Sequence, residues 1–356
     1  MKKSLTKQSE QLVNYATSLA LVLIVASILI KIQGSNPLEA FAAIVHGSVG
    51  GVSAIASSIR WSTPVLISTM AAIIAQKSGI LNLGLEGQIY FAALSAGIVG
   101  SMISLPPALH IPLTILVGGS IGLIYAIIPA LLKAYLKINE MIVTLMFNYI
   151  AVYLTELITM QLMGFNADTN PEQIATPVIQ ESAKLRAILP PYQASTGIFI
   201  AIGIVVLVYL FFRFTRKGYE WTQLGRNPRF VVYGGVNDKK SYISAFLMSG
   251  FVAGICGAVE IMGAHYRFRN NFANNLGWDG IMVALIAKNN PGAALIVGIL
   301  WGMIKAGSLS MERMTSVNRI VVTLVQALFV LFVTVDIRSF VEKMLKRKAG
   351  RALPKG

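Results

Sequence analysis

Runs of mostly apolar residues, each closed by a short polar punctuation, repeat along nearly the whole chain. A helix needs about 20 apolar residues to cross the hydrocarbon core of a bilayer. Backbone amides in that core must bond within their own segment, so such runs are read as membrane helices. Candidate spans cover 12–32, 62–77, 88–104, 111–133, 139–163, 196–214, 241–263, 278–289, 291–309 and 316–336, about ten in all. Two of them, 62–77 and 278–289, are short. Segment 37–59 is rich in small residues, weakly apolar and holds His46. It reads as an interfacial or re-entrant helix, with an eleventh span as the alternative. The expected fold is all-α: a polytopic membrane helix bundle of about ten transmembrane helices, some interrupted.

Composition agrees. The 356 residues are 55% hydrophobic before 31 glycines are counted, and only 13% charged, about half the share of a soluble domain. The net charge of +15 fits a positive-inside bias better than a nucleic-acid partner. With the N-terminus inside and sides alternating, the cytoplasmic set includes Lys2, Lys3, Lys7, Lys133, Lys137, the 213–240 stretch and the tail from Arg338 to Lys355. It outnumbers the external set by roughly two to one. The expected organisation is a cytoplasmic N-terminus at 1–11, a transmembrane domain at 12–337 and a basic tail at 338–356 lying on anionic lipid headgroups. Within the domain, 164–195 is an external loop and 215–240 a cytoplasmic one. Met1, Lys2 and Lys3 before an apolar run mimic a signal peptide, but the run reads as an uncleaved first helix. Cys256, the single cysteine, lies in an apolar run and reads as a packing residue.

Several chemistries have no motif here. No P-loop is present to cradle ATP phosphates. No paired cysteines or clustered histidines suggest a metal, and no cofactor is expected; His46, His110 and His265 fall outside the main spans. Gly118, Ser120 and Gly122 match G-x-S-x-G, but a nucleophile elbow needs a strand before it and a histidine base. The same stretch carries the GxxxG spacing, repeated at Gly250–Gly254 and Gly298–Gly302, which lets helices approach closely. Packing is the better reading, and no catalytic residue is assigned.

The polar residues inside the apolar pattern are the informative ones. KSGILNLGLEGQ, from Lys77 to Gln88, places glycines, Asn82, Glu86 and Gln88 between two spans. Each glycine weakens a helix by roughly 1 kcal/mol relative to alanine, so a helix breaks here. Asn82 and Glu86 would share a helical face. They are either caps on a polar turn or groups beside a solute or gate. Asn139 and Glu140 read as an N-cap with an acidic first turn. Asn148 and Glu156 lie deeper, on the inner surface or in interhelical bonds. Trp278, Asp279 and Gly280 open the short eighth span, where Asp279 is an outer-side cap or a path residue. Short, interrupted spans in both halves point to a transport path. The candidate path residues are Asn82, Glu86, Gln88, Asn148, Trp278 and Asp279.

The 215–240 loop is bracketed by Gly218, Gly225, Gly234 and Gly235. Arg226, Asn227 and Pro228 favour a turn followed by a helix start. Phe230, Val231 and Tyr233 give that helix one apolar face, which suits insertion into a partner's groove.

With these pieces in place, the chain resembles the permease subunits of ABC importers in the branched-chain amino acid, ribose and nucleoside group. The resemblance runs from about Pro37 to Asp336 and rests on KSGILNLGLEGQ, INEMIVTLMFNYI, GYEWTQLGRNPRFVVYGG and GWDGIMVALIAKNNPGAAL. The form is most similar to the larger permease of nucleoside importers. The resemblance implies a cytoplasmic coupling helix that docks into an ATPase subunit, using Gly218, Leu224, Gly225 and Arg226. Asn227, Phe230, Gly234 and Gly235 would complete it. Pro228-Arg229-Phe230-Val231 departs from the small residues usual in the family. The resemblance also implies a second, often different, permease chain, a substrate-binding lipoprotein outside, and a place in the bacterial cytoplasmic membrane. The expected function is import of a nucleoside with no chemistry of its own. Sugar or branched-chain amino acid import, and an ATPase-independent transporter, stand as alternatives.

Overall fold

The computed structural model describes residues 20–164, 174–270, 272–273, 275–315, 317–318 and 320–334. The expected N-terminus at 1–11 and basic tail at 338–356 lie outside them. The described residues form thirteen α-helices, with two isolated β-bridges in place of any sheet. Two compact units divide the chain, one from Val52 to Lys305 and one from the segments on either side.

In the larger unit, α3 (Val52–Lys77) is followed by α4 (Leu85–Met102), α5 (Pro107–Leu136) and α6 (Glu140–Met163). Then come α7 (Gly197–Phe214), two short helices α8 (Arg216–Arg226) and α9 (Pro228–Tyr233), and α10 (Asp238–Glu260). A π-helical turn extends α10 through His265, and α11 (Leu276–Ile286) and the start of α12 (Pro291–Met314) complete the unit. By length and composition α3, α5, α6, α7, α10 and α12 can each cross a bilayer. The chain is thus an all-α polytopic membrane protein. α11, at 11 residues, is the short apolar element of the core, where the sequence places a short span.

The centre is α3 and α10. The apolar window of α3 is 83% buried and that of α10 78%, against 17% for α6. α3 and α10 run antiparallel in a fixed register. Ser249 Oγ donates to the Ala71 carbonyl (2.8 Å), Cys256 Sγ to the Pro64 carbonyl (3.3 Å), and Arg60 pairs with Glu260 (2.6 Å). Cys256 is therefore a buried packing residue. The GxxxG segments meet each other as close-packing signals should. α5 lies antiparallel on α10, where a Cβ at Gly122 would stand 2.7 Å from Gly254 Cα and one at Gly118 2.7 Å from Ala258 Cβ. Gly298 and Gly302 pack the same way on α3, at Leu66 and Ser62. Ser120 points away, exposed on the outer face of α5.

Two expectations change. The span expected at 62–77 is not short, because α3 begins ten residues earlier. Segment 37–59 is not one helix: it breaks at Gly50 and Gly51, and its second half becomes the first turns of α3. Arg60 and several serines lower the apolarity of those turns, and Arg60 is accommodated by its pair with Glu260. His110 is also reassigned. It is buried in the first turn of α5, its Nδ1 2.8 Å from Ser182 Oγ.

The smaller unit holds α1 (Ala20–Ile32), α2 (Pro37–Val49), the end of α12 and α13 (Ile320–Thr334). α1 and α2 bend through 111° at their junction, the geometry of a broken span or re-entrant loop. Asn36 caps α2 by accepting from Leu38 N at 3.0 Å, and Gly47 lies directly against Ser310.

Candidate functional site

The break after α3 is built by backbone chemistry. Ile80 N donates to the Ala75 carbonyl (3.0 Å) and Gly79 N to that of Gln76 (3.1 Å), the paired bonds of a Schellman cap. Gly79 takes the left-handed φ of +75° that this cap needs. The chain then turns back into the bundle instead of leaving it.

Five polar side chains hold the returning segment. Asn82 is 2% exposed and Gln88 1%. Asn82 Oδ1 accepts from Gly84 N (3.0 Å), and its Nδ2 donates to Gln88 Oε1 and to Ser249 Oγ (both 3.1 Å). From α6, Asn148 Oδ1 accepts from Gly87 N and its Nδ2 donates to the Leu83 carbonyl (both 2.8 Å). Thr144 Oγ1 accepts from Leu83 N at 3.2 Å. Non-helical backbone inside a membrane survives only where protein satisfies it, and these amides do that. Asn139 caps α6 as expected, its Oδ1 accepting from Met141 N at 2.9 Å.

Glu86 sits in the first turn of α4 and accepts from Gly277 N, in the first turn of α11, at 2.6 Å. A Cβ on Gly277 would stand 2.6 Å from Glu86 N, so the two helix N-termini converge on one carboxylate. Such ends carry partial positive charge and favour an anion. Gly280 of α11 lies against Ser68, near the middle of α3, so this meeting point is deep in the bundle. One turn beyond Glu86, Tyr90 packs on Phe272 (ring centroids 5.1 Å) and Phe268 (6.4 Å), and Phe272 also meets His265 (5.6 Å).

Beside it lies a charged cluster. Asp279 accepts from Trp301 Nε1 (3.0 Å) and pairs with Lys305. It does not cap α11, as the sequence suggested; Asn275 holds the N-cap position. Glu260 pairs with Arg60 and stands 3.3 Å from His265 Nε2. The ring of Trp61 takes both cations, with Arg60 Cζ 4.1 Å and Lys305 Nζ 5.0 Å from its centroid. Two ion pairs from α3, α10, α11 and α12 therefore share one indole. Trp278 is half-buried against the core and apart from these bonds. Glu156 leaves the interior for the segment after α10, accepting from Asn270 Nδ2 at 3.0 Å. Sequence reasoning missed Arg60, Trp61, Glu260, Trp301 and Lys305. The available signal was a lone ionisable residue inside an apolar run, which marks function or pairing by default.

The 215–240 loop folds as two helices. Thr215 caps α8 by accepting from Gly218 N (3.0 Å), and Asn227 caps α9 by accepting from Phe230 N (3.2 Å). α8 buries Gly218, Trp221 and Leu224 on one face, Trp221 packing on Phe211 at 4.9 Å. Gly225 touches the end of α3, where a Cβ would overlap the Lys77 carbonyl and lie 2.7 Å from Gly79 N. Gly234 follows α9 and Gly235 turns the chain with φ of +79°. Arg226, Phe230 and Tyr233 are exposed, while Val231 faces inward, contrary to its expected place beside Phe230. The loop thus seats one face on its own bundle and leaves an apolar face open.

Of the 164–195 loop, the described part is ordered. A 3₁₀ turn at Glu181–Ala183 and bridges from Ala175 to Arg269 and Ala187 to Ser195 fold it over the end of α10.

A bundle of apolar helices around a buried polar break is the architecture of a multi-pass membrane protein. The chain belongs to the family described as "Branched-chain amino acid transport system / permease component", whose model matches residues 54–333. Among its relatives is the guanosine ABC transporter permease protein of Bacillus subtilis, 30% identical over 93% of this chain and 95% of that one. The glucose ABC transporter permease protein of Haloferax volcanii is 28% identical over 83% and 80%. The nucleoside ABC transporter permease protein NupB of Lactococcus lactis is 26% identical over 92% of each. No solved structure was found to match the chain.

Proposed function

We propose that this ABC permease of the nucleoside and sugar group imports nucleosides, driven by separate ATPase subunits. The observation that carries the substrate is the likeness to guanosine and nucleoside permeases over nine-tenths of the chain. The buried site supports it. Arg60–Glu260 and Asp279–Lys305 are closed ion pairs, Glu86 is held by Gly277 N, and the remaining groups are amides and aromatics, which suits a neutral, polar, ring-bearing solute.

On this reading α8 and α9 are the coupling element. Phe230 and Tyr233 enter a groove of the ATPase, and Arg226 borders it. ATP binding draws the ATPases together and moves α8. Gly225 passes that motion to the α3 terminus, and so to the segment that Asn82 and Asn148 hold. α4 and α11 then re-orient about Glu86, opening the path to the other side. Asn82, Glu86, Gln88 and Asn148 position this hinge, and Asp279 anchors α11 to α12 next to it. Trp278 supports the α11 packing. A substrate-binding lipoprotein docks outside on the 174–195 segment and the turn after α10. A second permease chain completes the path. Both termini lie in the cytoplasm of a bacterium.

The test is uptake of labelled guanosine, ribose, glucose and leucine by cells with and without this chain, alongside co-purification of an ATPase. Guanosine uptake that requires the chain is the expected result. Chain-dependent uptake of a sugar or leucine alone would overturn the substrate, and uptake by the chain without an ATPase would overturn the mechanism.

A further inference from the structure

Helix α6 exposes two phenols in the middle of a face that is otherwise apolar, with Ile142, Met146, Ile150 and Leu157 around them. The outward surfaces of α5 and α7 carry no such pair. Midway along, α5 exposes Leu116, Ile124 and Ile128, with the small hydroxyl of Ser120, and α7 exposes Ile202, Val206 and Leu207, its one exposed tyrosine, Tyr209 (44%), standing nearer the helix end at Phe214. A serine hydroxyl can bond its own helix four residues back. α6 instead exposes Tyr149 (67%) and Tyr153 (70%) one turn apart. The phenol hydroxyl cannot reach its own backbone.

Their depth makes this informative. α6 runs from Glu140 to Met163, and at 1.5 Å per residue these tyrosines lie about 14 and 20 Å from its first residue. That is the middle of a hydrocarbon layer about 30 Å thick. Tyrosines at membrane surfaces place their hydroxyls among headgroups, but from this depth a phenol ring cannot extend so far. The register on the bundle agrees: Asn148, adjacent in sequence, binds Gly87 and Leu83 beside the buried Glu86 turn. A hydroxyl held in hydrocarbon without a partner is disfavoured.

We propose that the Tyr149–Tyr153 face of α6 lines the aqueous solute path and that its two rings are the surface on which a purine base stacks during passage. Two exposed rings with hydroxyls at their rims suit a flat, apolar-faced and polar-edged solute. The path assignment stands on exposure and depth. The purine assignment rests on the proposed nucleoside reading, and the test separates the two.

The native chain is a quiet background, because its single cysteine, Cys256, is fully buried. In the assembled transporter in membranes, Tyr149→Cys, Tyr153→Cys and the control Leu207→Cys are treated with a membrane-impermeant quaternary-ammonium methanethiosulfonate. Labelling at 149 and 153 is expected to exceed that at 207 by about tenfold or more, since a fixed cation is excluded from hydrocarbon. Guanosine should slow it. Labelling no faster than at 207, or disulfide cross-linking to the second permease with no labelling, overturns the path. Fast labelling slowed by ribose and not guanosine leaves the path intact and removes the purine. Where a cysteine variant does not assemble, Tyr149→Phe/Tyr153→Phe decides. Uptake reduced severalfold at normal complex yield supports the path, and unchanged uptake overturns it.

Discussion

Replacing Gly225 by valine tests how α8 is connected to the bundle. A Cβ at this position overlaps the Lys77 carbonyl oxygen and lies 2.7 Å from Gly79 N. Both obstacles are backbone, and both belong to the Schellman cap that ends α3, so neither can rotate aside. Relief requires α8 to move off the α3 terminus. Forcing extra carbons into a packed contact typically costs about 1–3 kcal/mol. Coupling free energies between sites in proteins are also about 1–3 kcal/mol, or roughly 5–150-fold. The substitution is therefore large enough to cancel the coupling while leaving the rest of the bundle folded. The assay reconstitutes the assembled transporter in proteoliposomes and measures ATP hydrolysis and guanosine uptake on the same sample. Solute carried per ATP should fall by about tenfold or more, with basal hydrolysis preserved and Gly225→Ala intermediate. Gly203→Val is the control, because a Cβ there meets nothing within 4 Å. If Gly225→Val carries as much solute per ATP as Gly203→Val, the contact does not transmit motion.

Lys305→Met leaves Asp279 charged and buried without its cation, so the detergent melting temperature and yield should drop as for a loss of about 3–5 kcal/mol. Adding Asp279→Asn should restore most of it, and failure to do so would mean that Lys305 acts through other partners. Glu86→Gln keeps an oxygen for Gly277 N but removes a charge at two helix N-termini, an interaction of about 0.3–2 kcal/mol. Uptake should fall severalfold at unchanged protein level; normal uptake would reduce Glu86 to a cap. Ser120→Ala, on the exposed face of α5, should transport normally, and loss of uptake would revive a nucleophilic role.

The membrane character and most spans were legible because length and apolarity are local properties. The break at Gly79 and the capped start of α9 at Asn227 were legible for the same reason, since each is made by neighbouring residues. Partners were not. Asn148 satisfies Leu83 and Gly87 from another helix, and nothing near Asn148 in sequence states that. Hydropathy also misplaced the start of α3. It assumes a span faces lipid, while much of α3 faces protein, where Arg60 and Ser62 find partners. The cap reading of Asp279, one of the two the sequence offers, rests on its place near a helix start. Its actual partners, Trp301 and Lys305, are supplied by the next helix and could not be weighed locally. Glu260 and Lys305 escaped notice singly, and their meaning is visible only once four helices bring the cluster around Trp61.

The antiparallel register of α3 and α10 has a mechanical consequence. Ala71, Pro64 and Arg60 are riveted to Ser249, Cys256 and Glu260 at three heights along the pair. A slip of one residue would shear all three rivets together, whereas a tilt of both helices as one strut would strain none. Any stroke that opens this molecule must leave that strut whole and swing lighter parts around it.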